Sequence, residues 1–226
     1  MGCNKLKILE KEKTTLGNNL ELVQLGKRST GIPLIVGVVH GDEPQGKWLI
    51  EKYIENYSKH STNLLFVPCL NPDGLQLNIR TNANGVDLNR NFPTQNWGEN
   101  LGDNATCNDP STLYYGGPSP ASETETQFLI NIIEKYNPSI ILTIHAPYKV
   151  VNFDGPAREI SEIISSIINY PVEESIGYPT PGSFGTWAGV ERNIPTITLE
   201  LDETVSVPDL EEKIFELFNT LTNSTF

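Results

Sequence analysis

Positive charge is scarce in this sequence: 16 lysines and arginines face 28 aspartates and glutamates, for a formal net charge of −12. Surfaces for nucleic acid or anionic membrane need clustered cations, so neither partner is expected. Cysteine is scarce as well. Cys3, Cys69 and Cys107 are odd in number and share no paired spacing. That excludes a disulfide framework and a cysteine-rich zinc module, and it fits a reducing compartment. No apolar run approaches the ~20 residues of a membrane span. Residues 1–5 are followed by no apolar signal segment, and Leu6 stands where a myristoylation motif requires Ser or Thr. The expectation is a cytoplasmic protein. No repeat or flexible linker divides the chain, and 226 residues suit one domain spanning 1–226 with a core that needs no staples.

What the chain does contain is an alternation of short apolar runs and helical patterns. Residues 34–39 read as a buried strand, after which Pro44 opens a helix with Trp48, Leu49, Tyr53 and Ile54 on one face. Residues 64–67 form a second strand, stopped by the turn Asn71-Pro72-Asp73-Gly74. From Leu75 to Ser119 the chain is polar and rich in Asn, Gly and Pro; a loop that long in a compact domain usually carries function. Ser122 and Glu125 have the spacing of a capping box, opening a helix through Phe128, Leu129, Ile132 and Ile133. A strand over 140–144, a helix over 157–169, a strand over 196–199 and a last helix from near Pro208 complete the reading. This predicts an α/β fold, an α/β/α sandwich around a mixed, largely parallel sheet. Such sheets bind ligands beyond the carboxyl ends of their strands, and His40, Asn71, His145 and Glu200 all fall at or just past such ends.

Histidine is the third scarce residue, with only His40, His60 and His145. His60 lies in a polar connection and is expected to be exposed. His40 and Glu43 stand three residues apart, with Gly41 between them to let the chain curl. With His145 from a second strand end they would make a two-histidine, one-carboxylate set, which leaves a fourth position open as catalytic zinc sites do. Taken alone His-x-x-Glu is a weak motif, and a lone strand-end histidine is more often simply hydrogen-bonded; the combination carries the site. Arg80, Asn89 and Arg90 sit in the polar stretch, where arginines either pair with surface acids or grip carboxylates and oxyanions. Glu200 closes an apolar strand, where a carboxylate is costly without a partner or a task; general base is the task that suits it.

Taken together these segments resemble the zinc metallocarboxypeptidases of the carboxypeptidase A/B type, over about residues 34–201. The segments are His40-Gly41-Asp42-Glu43, Asn71-Pro72-Asp73-Gly74, residues 85–93, Ser122-Glu123 with Glu125-Thr126, Thr143-Ile144-His145 and Thr198-Leu199-Glu200-Leu201, in that family's order. The resemblance implies a carboxypeptidase-like fold and one zinc ion per chain, held by His40, Glu43 and His145. It further implies Arg80 for polarising the scissile carbonyl, Asn89 and Arg90 for the substrate's terminal carboxylate, and Glu200 as the base. Tyr178, nine residues before Trp187 and twenty-two before Glu200, matches the family's mobile tyrosine. His145-Ala146-Pro147-Tyr148 and residues 178–187 look like a small bacterial cytoplasmic branch of the family. That likeness implies a small peptide substrate, murein tripeptide, cleaved at its γ-D-glutamyl–diaminopimelate bond during cell-wall recycling.

The far end of diaminopimelate carries an ammonium and a carboxylate, and burying the ammonium calls for an anionic partner. Asp154 is the candidate, with a turn-capping role before Gly155 as its plain alternative. Other readings stay open: carboxypeptidase action on other C-terminal residues, an amidohydrolase of the aspartoacylase or succinylglutamate desuccinylase type, a cell-shape carboxypeptidase if an export signal existed, or a metal-free peptide-binding relic.

Overall fold

The computed structural model describes residues 6–27, 31–56, 62–102, 105–106, 108–175 and 177–223; Cys3, His60 and Cys107 lie outside them. Its strands are β1 (Lys7–Lys13), β2 (Asn19–Leu25), β3 (Leu34–Gly37), β4 (Leu64–Val67), β5 (Asn100–Gly102), β6 (Ala105–Thr106), β7 (Ile141–His145), β8 (Val150–Asp154), β9 (Val172–Glu173) and β10 (Thr196–Glu200). Its α-helices are α1 (Gln45–Asn56), α2 (Pro72–Leu77), α3 (Thr124–Tyr136), α4 (Arg158–Ile168) and α5 (Val207–Asn223). Eight strands form one sheet in the order β1-β2-β4-β3-β7-β10-β8-β9, and β5 pairs with β6 apart from it. The middle four, β4-β3-β7-β10, run parallel. On one side β2 is antiparallel to β4 and β1 to β2; on the other β8 is antiparallel to β10.

Three strands that approach the site alternate apolar and polar residues. Leu142, Ile144, Val151, Phe153, Ile197 and Leu199 pack into the core beneath α1, α4 and α5. Successive side chains on a strand point to opposite faces. Thr143 and His145, Asn152 and Asp154, Thr198 and Glu200 therefore share the other face, in register across β7, β10 and β8. On that side α3 and the aromatics Phe92, Phe184 and Trp187 cover a second core built on β3, β4 and Ile141. The polar stripe is left as a wall. The chain leaves β3 for β4 on one side and takes up β7 on the other, so the crevice past β3 and β7 is the topological switch point. His40 follows β3 and His145 ends β7.

Several sequence expectations are corrected here. β3 ends at Gly37 rather than at residue 39, because Val38 turns into the left-handed region with φ 53°. The chain is held there by Leu70 N–H donating to Gly37 O and Asn71 N–H to Val38 O, both at 2.9 Å. A β-branched residue in that region is strained, and the strain lies two residues before His40. Trp48 is 47% exposed, and Ile50 takes its place on the buried face of α1. Asn71-Pro72-Asp73-Gly74 is a helix start rather than a stop: Asn71 caps α2 by accepting from Gly74 N–H at 2.8 Å, with Pro72 in the first turn. Asn71 is fully buried and serves as scaffold, its amide donating to Val39 O and Arg80 O. The capping box at Ser122 and Glu125 does not form; α3 starts after Glu123 without a side-chain cap. Glu123 instead accepts from Ser122 Oγ and from the side chains of Asn82 and Asn84.

The turn that presents His40 and Glu43 is wedged against α2. A Cβ on Gly41 would lie 2.1 Å from Gly74 C and 2.4 Å from Leu75 N, both backbone atoms that cannot swing aside. Gly41→Ala should cost about 1–3 kcal/mol, the usual range for overpacking, and lower Tm by about 2–4 °C for each of those kcal/mol. A variant melting with the parent in a calorimetric scan would contradict this close approach.

Candidate active site

His40, Glu43 and His145 each offer a ligand-type atom, and these atoms lie within 4.8 Å of one another. The two Nδ1 atoms are 3.2 Å apart, and Glu43 reaches both, with Oε1 2.8 Å from His40 Nδ1 and Oε2 3.0 Å from His145 Nδ1. The other nitrogen of His40, Nε2, faces the fully buried Asp87 Oδ1 at 3.2 Å. A carboxylate on the far ring nitrogen accepts the Nε2 hydrogen, and in neutral His40 this leaves the lone pair of Nδ1 facing the cluster, the arrangement common around metal-binding histidines. Two imidazole nitrogens and a carboxylate oxygen converging with a fourth direction open also suit zinc chemically. The residues fit the ion.

Electrostatics follow from burial and close partners. Burial opposes charging His40, but Glu43 and Asp87 at its two nitrogens outweigh it and hold its pKa at about 9. Burial also works against ionised Glu43, yet His40 and His145 keep it well below the usual carboxylate range. Asp87 is likewise held far down, against burial, by Arg80 and His40. Arg80 donates to Asp87 Oδ2 through Nε at 3.2 Å and Nη2 at 3.1 Å, and its Nη1 stands 3.7 Å from Glu43 Oε1. Glu200 differs. Burial raises its pKa, and Oε2 is buried without a hydrogen-bond partner.

These groups open onto a cavity of about 390 Å³ that includes every site residue expected from the sequence: His40, Glu43, Arg80, Asn89, Arg90, His145, Asp154, Tyr178 and Glu200. Asn89 accepts from Phe184 N–H through Oδ1 at 2.9 Å, which orients its amide. Arg90 is buried, with Nη1 donating to Asn89 O at 2.7 Å and Nε unpartnered. Tyr178 interacts with the Tyr148 hydroxyl, and burial first of all pushes its pKa up to about 12, so the phenol stays neutral. Asp154 pairs in register with Thr196, four residues before Glu200 on β10, or about 13 Å along the strand at 3.3 Å per residue. It lines the cavity, and burial alone raises its pKa to about 6.

Sequence reasoning passed over Asp87, which orders both His40 and Arg80. Its signal was available: an acid between buried Val86 and Leu88 needs buried partners. Tyr114, Tyr148, Asn152 and Thr198 also line the cavity without having been singled out. The alternation in 150–154 and 196–200 would have marked the last two, whereas nothing local marks Tyr114.

Comparison with known proteins agrees with this geometry. Residues 5–167 match the zinc carboxypeptidase family model. Murein peptide amidase A of Escherichia coli K12 is 35% identical over 191 residues, which span 83% of this chain and 78% of that protein. Its namesake from Vibrio campbellii is 33% identical over 195 residues, spanning 84% and 77%. Among solved structures, the murein-tripeptide amidase of Escherichia coli O157 aligns with a TM-score of 0.79 at 32% identity, covering 95% of this chain and 91% of that one. Carboxypeptidase A of Helicoverpa armigera, at 17% identity, shares the fold with a TM-score of 0.77 and coverage of 97% and 68%.

Because Asp87 is the buried counter-charge for both Arg80 and His40, Asp87→Asn should leave both cations short of a partner. Breaking a buried ion pair costs about 3–5 kcal/mol. Denaturant melts of the chelator-treated protein should register that loss, and an unchanged midpoint would mean that neither cation depends on Asp87.

Proposed function

This chain belongs to the zinc carboxypeptidase family, and we propose that it hydrolyses the γ-D-glutamyl–meso-diaminopimelate bond of murein tripeptide. The observation that carries this reading is the charge layout of one cavity. The His-Glu-His cluster and Glu200 stand at one level, Arg80, Asn89 and Arg90 beside them, and Asp154 further along the polar stripe. A released residue with a carboxylate at one end and an ammonium at the other matches that layout. The E. coli proteins similar to this chain carry murein peptide amidase names, which supports the same substrate.

The chemistry follows from the side chains. His40, Glu43 and His145 would hold a zinc ion, which would supply Lewis acidity for a carbonyl and a water at this site. Glu200, its basicity raised by burial, takes the proton from that water and delivers it to the leaving amine. Arg80, fixed by Asp87, stands ready for the negative charge that develops on the carbonyl oxygen. Asn89 and Arg90 grip the α-carboxylate of the residue being released, the bidentate task for which guanidinium is suited. Tyr178 remains a neutral donor at the cavity's edge. A cytoplasmic role in recycling wall peptides suits the buried free thiol of Cys69, whose pKa burial pushes up to about 12.

Metal binding and proton transfer should separate cleanly. The purified protein is expected to carry one zinc per chain by elemental analysis. His145→Ala should lose both zinc and activity. Glu200→Gln should keep zinc while kcat falls about 10²–10⁴-fold, the usual cost of removing a general base. Full zinc in the first variant would remove His145 from the ligand set, and near-normal kcat in the second would remove Glu200 as the base.

Asp154 tests the substrate itself. Asp154→Asn should raise KM for murein tripeptide far more than for an analogue whose released residue has no side-chain ammonium, with about 2–5 kcal/mol at stake for a charged contact of this kind. In the parent, KM for the tripeptide should climb as pH falls below about 6, where Asp154 takes up its proton, and the variant should lack that rise. The stability effect has the opposite sign. A raised folded pKa means that ionised Asp154 opposes folding above about pH 6, and that this penalty fades as pH falls toward its ordinary value. Asp154→Asn should therefore melt higher than the parent at pH 8 and with it near pH 4. Equal KM effects on both substrates would make Asp154 structural.

A further inference from the structure

Arg80 and Arg90 reach the cavity from different points of the same polar stretch, yet both guanidiniums face one ring. Arg80 Cζ lies 5.5 Å and Arg90 Cζ 5.7 Å from the centroid of Tyr114. Tyr114 lines the cavity and is 42% exposed. The backbone beside it is pinned: Tyr115 O accepts from Asp87 N–H at 2.8 Å, and Gly116 O accepts from the Asn91 side chain at 2.7 Å. A Cβ on Gly116 would lie 2.5 Å from Arg90 O, so this segment runs directly against the chain that carries the arginine. The anchorage of the two cations is uneven. Arg80 has two bonds to Asp87, whereas Arg90 has one bond to a neighbouring carbonyl and an unpartnered Nε.

Two guanidiniums near one point repel, and the negative face of an aromatic ring offsets that repulsion for both. We propose that Tyr114 is a positioning residue that holds Arg80 and Arg90 apart at a fixed spacing, so that Arg90 stays free for the substrate carboxylate while Arg80 serves the reacting carbonyl. This rests on the roles given to the two arginines under the proposed function. The π-face does the work, so the hydroxyl is dispensable and the ring is not. Tyr114 acts through Arg90 on binding, and its loss should therefore be felt in KM more than in kcat.

The experiment compares Tyr114→Phe, Tyr114→Leu and pentafluorophenylalanine at position 114, the last keeping the ring's shape while reversing its quadrupole. Steady-state kinetics on murein tripeptide and inhibition by free diaminopimelate are measured for zinc-loaded protein. Phe should match the parent. Leu and the fluorinated ring should raise both KM and Ki about 3–30-fold, the span that a cation–π contact supports, with kcat changed less. Should Leu misfold, the fluorinated ring still decides, because it keeps the planar ring and is only slightly larger than Phe. Parent-like KM and Ki with the fluorinated ring, or Phe as impaired as Leu, would overturn the proposal. Arg90→Gln, measured alongside, separates the two levels of inference. If it leaves KM and Ki unchanged, the arginine's own assignment fails; if it raises them while the fluorinated ring does not, only the role of Tyr114 fails.

Discussion

Asp87 is fully buried, and its two oxygens are committed to different tasks. Oδ1 faces His40 Nε2 at 3.2 Å and accepts Asn89 N–H at 2.9 Å, while Oδ2 takes both donors from Arg80. An ionised carboxylate in such a place persists only if every oxygen is engaged, so the burial of Asp87 dictates the positions of its partners. The tautomer of His40, the plane of the Arg80 guanidinium and the turn that leads into Asn89 and Arg90 follow from one group. The His40–Glu43–His145 cluster, the Arg80 guanidinium and the turn that carries Asn89 and Arg90 are thereby tied to a common point, and networks of this kind couple their members more strongly than separate pairs would.

Other buried acids show what a purely structural carboxylate looks like in this chain. Asp73 accepts from Thr14 Oγ1, Leu16 N–H and Asn18 Nδ2, binding the turn between β1 and β2 to α2. Glu123 is similarly enclosed by donors from Ser122, Asn82 and Asn84. Among the residues that line the cavity, Glu200 Oε2, Gln45 Oε1 and Arg90 Nε are buried with no hydrogen-bond partner. Groups left unsatisfied at a site are a cost to folding that a substrate can relieve, and stability is commonly conceded at such places.

The parallel centre of the sheet was legible because β3 and β4 are wholly apolar runs and β7 and β10 are short β-branched, mostly apolar stretches, and the helices over 45–56, 158–168 and 207–223 because their periodicity and breakers agree. The family resemblance singled out His40, Glu43, His145 and Glu200, which the fold brings together at one cavity. The outer strands were not legible. β1 is a charged, largely exposed edge strand that carries no hydrophobic signature. β8 is short and was passed over, although Val151-Asn152-Phe153-Asp154 alternates and pairs in register with β10. Local rules also gave wrong detail where tertiary contacts override them. Asn71-Pro72-Asp73-Gly74 satisfies turn statistics and helix-start statistics equally, and the carbonyls of Val39 and Arg80 above Asn71 decide between them. Ser122 has the spacing for a capping box, but Asn91 and Glu123 claim its hydroxyl. Tyr114 was out of reach, since the two arginines whose guanidiniums lie over its ring come together only in the folded chain.

The net charge of −12 might be thought sufficient to attract a substrate that carries ammonium groups. It is not, because exposed charges are screened over about 8 Å at physiological ionic strength and draw any cation alike. Discrimination requires a desolvated charge that a wrong ligand leaves unpaired. Asp154 is a largely desolvated acid on the cavity wall, and its neighbours rather than the overall composition make it so. A Cβ at Gly185 would fall 2.1 Å from Asp154 Oδ2, and one at Gly189 would fall 2.4 Å from Asp154 Cβ. Two glycines are thus needed for the acid to sit where it does, walled off on one side and open to the cavity on the other. The segment Gly185–Gly189 overlaps the stretch before β10 that carries Trp187 into the second core. The same few residues that close the hydrophobic core therefore also shape the far end of the cavity, a wall the fold cannot easily move.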